Sequence, residues 1–220
     1  LNTVEYVLWS LVIGFLPPIV VAIMLNEMVH GKSFFKFAIY FPAIVPTVAA
    51  AMIWYFLYQP DPNGLLNLLL SKLHLPASQW LQNPHLTIPL IVVSMTWKGF
   101  GATMIMYLAS LQGVNQELYE AATIDGANRL QRIIYITLPS IMSTVVVMLI
   151  MRLGSVLKNG FEQIFLLYNA TVYDVADVFE TFTYRIGMID GRYGFATAVG
   201  LFQSVVGLVF ILSANKLAKK

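Results

Sequence analysis

An all-α integral membrane protein with five membrane-spanning segments is the fold class this sequence predicts, on three observations. Of 220 residues, 58% are hydrophobic and only 11% charged, where soluble domains carry roughly 25% charged residues. The mean hydropathy is +0.73; a soluble core of this length would be too small to hide so much apolar surface. Five apolar segments also reach the length of about 20 residues that a spanning helix needs. Finally, the basic residues between those segments are shared unequally between alternate connections, as membrane topology demands.

The first segment, residues 4–25, contains Pro17 and Pro18, which predict a kink. A polar link, 26–36, follows. The second segment, 37–58, has no charge and carries Pro42 and Pro46. Trp54, Tyr55 and Tyr58 near its end suit an aromatic belt. Residues 59–85 form a longer connection with a turn at Pro60-Asp61-Pro62-Asn63-Gly64, and 65–73 reads as a short amphipathic helix at the surface. The third segment, 86–111, holds one charge, Lys98. The fourth, 140–157, contains Arg152 and continues apolar through 161–167. Residues 168–194 are polar and acidic, and the fifth segment is 195–213.

Seven basic residues (Lys32, Lys36, Arg129, Arg132, Lys216, Lys219, Lys220) lie in connections 26–36, 112–139 and 214–220. Four (Lys72, Lys158, Arg185, Arg192) lie in the opposite set. The excess puts loop 112–139 and the C-terminus in the cytoplasm, with loops 59–85 and 168–194 outside. Five spans then place Leu1 outside, at the head of an apolar segment, so upstream residues are expected. Net charge is +2, with no basic cluster to bind nucleic acid, and the absence of cysteine excludes thiol chemistry. His30, His74 and His85 lack ligand spacing, so no metal site is expected.

One polar stretch, 120–139, interrupts the apolar pattern. Good helix formers flank Gly126, predicting a helix over 117–122, a glycine bend and a second helix over 127–135. Asn115 can cap the first from two residues before Glu117. Pro139 stands at the entry to the next span, where a missing N–H is tolerated. By periodicity alone this is a capped, solvated loop. Its spacing says more: Glu120-Ala121-Ala122, three residues, Gly126, nine residues, then Ile136-Thr137-Leu138-Pro139. That pattern resembles the EAA loop of permease subunits in binding-protein-dependent ABC importers. The stretches GKSFFK (31–36), NGLLN (63–67) and WKGF (97–100) are similar to the sugar-permease branch, and GFEQIFLLYN (160–169), TYRIG (183–187) and AVGLFQSVVGL (198–208) to its LplB-like polysaccharide permeases.

The resemblance implies a MetI-like permease fold in one domain, 1–220, preceded by a sixth span, in the bacterial inner membrane. It implies a second, homologous but different permease chain, two cytoplasmic ATPase subunits carrying ATP and Mg, an external solute-binding protein and an oligosaccharide substrate. This chain has no phosphate-binding loop and no enzyme activity or cofactor of its own is expected. Glu120, Ala121, Ala122, Asp125, Gly126, Leu138 and Pro139 would form the ATPase-coupling element. Sugar-contacting positions of the family fall on Met95, Lys98, Gly99 and Ala102, and on Ser155, Asn159, Gly160 and Glu162; Arg152 and Gln163 join them as pathway candidates.

An ionisable group at membrane depth costs about 3 kcal/mol on insertion scales and normally faces a partner or a wet cavity. Lys98 therefore pairs with Glu162, or with a carboxylate of the substrate if Arg152 serves Glu162. These charges extend the expected substrate to acidic, uronate-containing sugars. Two rival readings are an ion-gradient-driven carrier or channel subunit, and a structural membrane protein. The first gives the EAA-like loop no purpose, and the second leaves the intramembrane charges unexplained.

Overall fold

The computed structural model describes residues 2–154 and 160–218, and all regular structure in them is helical. The helices are α1 (Asn2–Gly14), α2 (Leu16–Glu27), α3 (Lys32–Ile44), α4 (Thr47–Leu57), α5 (Leu65–Lys72), α6 (Pro84–Gln112), α7 (Gln116–Ile124), α8 (Arg129–Arg132), α9 (Leu138–Gly154), α10 (Phe161–Leu167), α11 (Tyr173–Ala176), α12 (Phe179–Tyr184) and α13 (Tyr193–Ala218). Among the described residues, four helical stretches are long and apolar enough to cross a membrane: Asn2–Glu27, Pro84–Gln112, Arg129–Arg152 and Tyr193–Ser213.

The remaining apolar run, expected as a span over 37–58, is folded: α3 and α4 meet at 98°. Prolines cause the break. Pro46 has no N–H to donate to the carbonyl four residues earlier, and the N–H of Val45 turns back to the Pro42 carbonyl instead, at 3.2 Å. Pro17 and Pro18 break the first span more gently, between α1 and α2. Pro139 acts differently. The helix runs on through it, but widens to a π-helix over Ile133–Thr137 just upstream, so the expected α-helix over 127–135 is correct only to Arg132.

The long helix α6 is the axis, packed against α1, α2, α3 and α9. One buried cluster gathers around its C-terminal third (Met104, Tyr107, Leu108, Leu111) with Phe15, Ile19, Ile23 and Ile141. A second gathers around its N-terminal third (Ile88, Ile91, Val92) with Tyr6, Tyr58, Ile164 and Leu167. At Gly101 α6 comes so close to α3 that a Cβ would stand 2.5 Å from the Cα of Tyr40 and 2.6 Å from the carbonyl of Ile39.

Connection 59–85 contains the expected short helix, α5, with Leu65, Leu68 and Leu69 exposed. It is held by a residue that hydropathy did not single out. The buried Asn67 donates to the carbonyls of Pro60, Asp61 and Ser78, and accepts from the N–H of Ser78 and the indole of Trp80. The stretch expected as a polar loop, 168–194, is built of short helices. Arg185 pairs with Asp177 and lies 4.9 Å over the ring of Tyr173, while Asn2 ties that region to α1 through the carbonyls of Asp174 and Asp177.

Candidate functional site

Between the two buried clusters, the middle of α6 faces a cavity of about 810 Å³. Its wall from α6 is a helical face, with Val92, Met95, Thr96, Gly99, Thr103 and Tyr107 at spacings of three and four. Helix α1 adds Tyr6, Ser10 and Gly14, again four apart. The α3–α4 break contributes Thr47, α9 contributes Met148, Met151 and Arg152, and α10 contributes Phe161, Glu162 and Gln163.

Seven of the ten sequence-expected pathway residues therefore meet here: Met95, Lys98, Gly99, Arg152, Gly160, Glu162 and Gln163. Ala102 lies on α6 but outside the lining, exposed. Ser155 and Asn159 lie outside the described residues. Gly160 lines the cavity with φ +102°, and Met95 fills the space a Cβ would need. The polar face of α1 was missed, although the spacing of Tyr6, Ser10 and Gly14 within an apolar run carries the signal.

Within the chain, Lys98 turns to a carbonyl rather than to Glu162. The Lys98 ammonium donates to the backbone carbonyl of Val45 at 2.7 Å, and the Arg152 guanidinium donates to the carbonyl of Gly14 at 2.9 Å. Glu162 is exposed to the cavity. The buried Gln163 donates to the hydroxyl of Ser94 at 3.3 Å. Tyr6 and Tyr107 carry buried hydroxyls with no hydrogen-bond partner among the described residues. Unpaired buried polar atoms are uncommon in folded proteins, and these two lie in the wall of one cavity. Such a wall can present hydroxyls, amides and charges of both signs to a polar guest, with apolar side chains between them.

The second constellation is the stretch between α6 and α9. Helix α7 starts on the Asn115 cap, whose side chain accepts from the N–H of Glu117 at 3.0 Å, and it buries none of its residues. Glu120 and Ala121 are exposed and Ala122 is half-buried. Asp125 ends the helix by donating its N–H to the Ala121 carbonyl. Gly126 then turns the chain with φ +77°, and Asn128 and Gln131 cap α8 reciprocally. The hydroxyl of Tyr119 meets that of Thr137 at 3.0 Å, and Arg129 pairs with Glu27 at 3.2 Å. Leu138 is half-buried and Pro139 exposed. The outer face is apolar: Ile124 is 87% exposed and Tyr135 75%. Exposed apolar surface of this kind marks contact with another protein or with lipid.

The family profile described as "binding-protein-dependent transport system inner membrane component" matches residues 8–220. Protein LplB of Bacillus subtilis is 40% identical over all of this chain and 69% of its own length. The polygalacturonan/rhamnogalacturonan transport system permease protein YteP of the same organism is 38% identical over all of this chain and 68% of its length. Among solved structures, a bacterial ABC transporter involved in the import of the acidic polysaccharide alginate superposes with a TM-score of 0.95 at 39% identity, covering 99% of this chain and 77% of that one. A bacterial alginate ABC transporter in complex with an alginate pentasaccharide-bound periplasmic protein gives 0.93 at 39% identity, covering 99% and 76%.

Proposed function

The chain belongs to the family of binding-protein-dependent transport system inner membrane components, and we propose that it is the permease subunit of an ATP-driven importer of oligosaccharides, acidic ones included. It is a multi-pass inner-membrane protein and a transport component rather than an enzyme. The observation that carries the reading is the mid-membrane cavity. Its volume of about 810 Å³ suits an organic ligand of several hundred daltons. Its two cations, its two carboxylates (Glu162 and, from α12, Glu180) and the two tyrosine hydroxyls that have no partner among the described residues suit a polyhydroxylated guest. Similarity to the alginate importer and to the polygalacturonan permease supports the acidic class.

In this reading Met95, Lys98, Gly99, Ala102, Arg152, Ser155, Asn159, Glu162 and Gln163 belong to the pathway. Loop 112–139 is cytoplasmic, and 59–85 and 168–194 face outward. The exposed side of α7, with Glu120, Ala121 and Ala122, docks one of two separate ATPase chains, which bind ATP and Mg. A second, homologous permease completes the pathway, and an external binding protein delivers the sugar.

The test is reconstitution with the partner subunits in liposomes, followed by uptake of neutral and uronate-containing oligosaccharides presented by the binding protein. Uptake that needs internal ATP and persists after an ionophore collapses ion gradients is expected. Uptake that survives ATP depletion but stops with the ionophore would establish the ion-driven carrier instead.

A further inference from the structure

A helix break at membrane depth leaves backbone carbonyls that water is not there to satisfy, so neighbouring groups must supply the donors. Among the described residues, two such breaks border the cavity. In an unbroken helix the Gly14 carbonyl would accept from residue 18, but Pro18 has no N–H. At the second break Val45 has ψ 129°, outside the helical range, so its carbonyl belongs to the ladder of neither α3 nor α4. Arg152 supplies the first carbonyl from 138 positions away, and Lys98 the second from 53.

The origin of the donors is as informative as their targets. Lys98 is on α6, which ends at Gln112, and Arg152 is on α9, which starts at Leu138. These are the two helices flanking the loop that carries α7. A rigid displacement of that loop must act on α6 and α9, and each holds, by one side chain, a break in the opposite wall of the cavity.

We propose that Lys98 and Arg152 are positioning residues, cationic clamps through which α6 and α9 deliver movement of the loop between them to the broken helices α1–α2 and α3–α4. The inference rests on the transport reading above and deepens it. Hydrogen bonds from charged donors are shorter and roughly twice as strong as neutral ones, so an ammonium or guanidinium can drag a carbonyl with it. The two breaks are where the arms can swing, as hinges at element ends do. The clamps also explain why these cations persist in apolar helices: each completes a backbone that proline has interrupted.

The experiment uses the whole transporter in liposomes. Cysteines replacing Phe37 and Phe56, both exposed on the two arms of the α3–α4 break, carry spin labels in this otherwise cysteine-free chain. Lys98→Met is expected to broaden the label-to-label distance distribution. It should also lower sugar-dependent turnover at saturating sugar about tenfold, the loss equivalent to one charge-assisted hydrogen bond, while KM stays near the unmodified value. Lys98→Arg, which keeps a charged donor, should recover both readouts, and Arg152→Met should repeat the kinetic pattern. An unchanged distance distribution together with a raised KM at unchanged turnover would overturn the clamp, since Lys98 would then simply touch sugar. Should Lys98→Met fail to assemble, Lys98→Gln, a neutral donor, is judged by the same two readouts. The distance measurement needs no sugar. A transporter that moves no oligosaccharide would therefore refute the proposed function, while the clamp would still stand or fall on the labels.

Discussion

Gly126 is where one substitution reports most directly on the shape of the loop between α6 and α9. Its φ is +77° and nothing lies within 4 Å of the position a Cβ would take. A Cβ there meets no described neighbour, so the cost of a small side chain is chiefly backbone strain. That strain is about 1–2 kcal/mol for an ordinary L-residue, larger for a β-branched one and smaller for Asn, which tolerates the left-handed region. A change of that size shifts a conformational population by a factor of about 5–30. Gly126→Val is accordingly expected to cut sugar-stimulated ATP hydrolysis of the reconstituted transporter by about this factor, and Gly126→Asn by far less. Membrane insertion should be the same for both. Two outcomes would refute the reasoning. Full activity in the Val variant would mean that the bend is not needed. Equal losses in the Val and Asn variants would mean that a partner surface rejects any side chain, whatever its φ preference.

Single cysteines at Asn128 and Asp177 should label from opposite sides of the membrane, and labelling of both from outside would refute the inferred topology. Glu120→Lys, on a helix with no buried residue of its own, should leave the permease inserted but lower co-purification of the ATPase; unchanged stoichiometry and sugar-stimulated hydrolysis would remove Glu120 from the docking surface. Gly101→Leu should lower the thermal midpoint of the purified protein, because the added Cβ meets backbone atoms of Tyr40 and Ile39 at 2.5 and 2.6 Å, and overpacking of this kind costs about 1–3 kcal/mol. An unshifted midpoint would mean that α3 and α6 separate easily.

Much of the architecture is local and was legible as such. Length and hydropathy located α6 and α13, Asn115 announced the start of α7, and glycine at 126 announced the bend. The loop spacing named the family before any geometry was available. What escaped reading is non-local. Pro42 and Pro46 were visible, but the 98° fold between α3 and α4 depends on a donor for the Val45 carbonyl that comes from Lys98, 53 residues on. Sequence reasoning sought a charged partner for that lysine and did not consider a carbonyl freed by a break. Asn67 looked like a polar residue in a surface helix, whereas it organises its whole connection from a buried position. The α1 face of the cavity was overlooked because one tyrosine, one serine and one glycine hardly alter the hydropathy of a span.

The π-helical turn at Ile133–Thr137 has a consequence for how this chain can vary in length. Such a turn amounts to one residue more than the α-helical ladder requires, absorbed without unwinding the helix. Deleting one residue from it would let α8 run into α9 as ordinary α-helix, except at Pro139. It would also turn everything upstream by about 100° about the helix axis and draw it about 1.5 Å closer. The span itself would be untouched, yet Glu120 and its neighbours would point elsewhere. Register in these five residues thus sets the azimuth of α7. Relatives that gain or lose a residue there would need a compensating change before Gly126 to face the same partner.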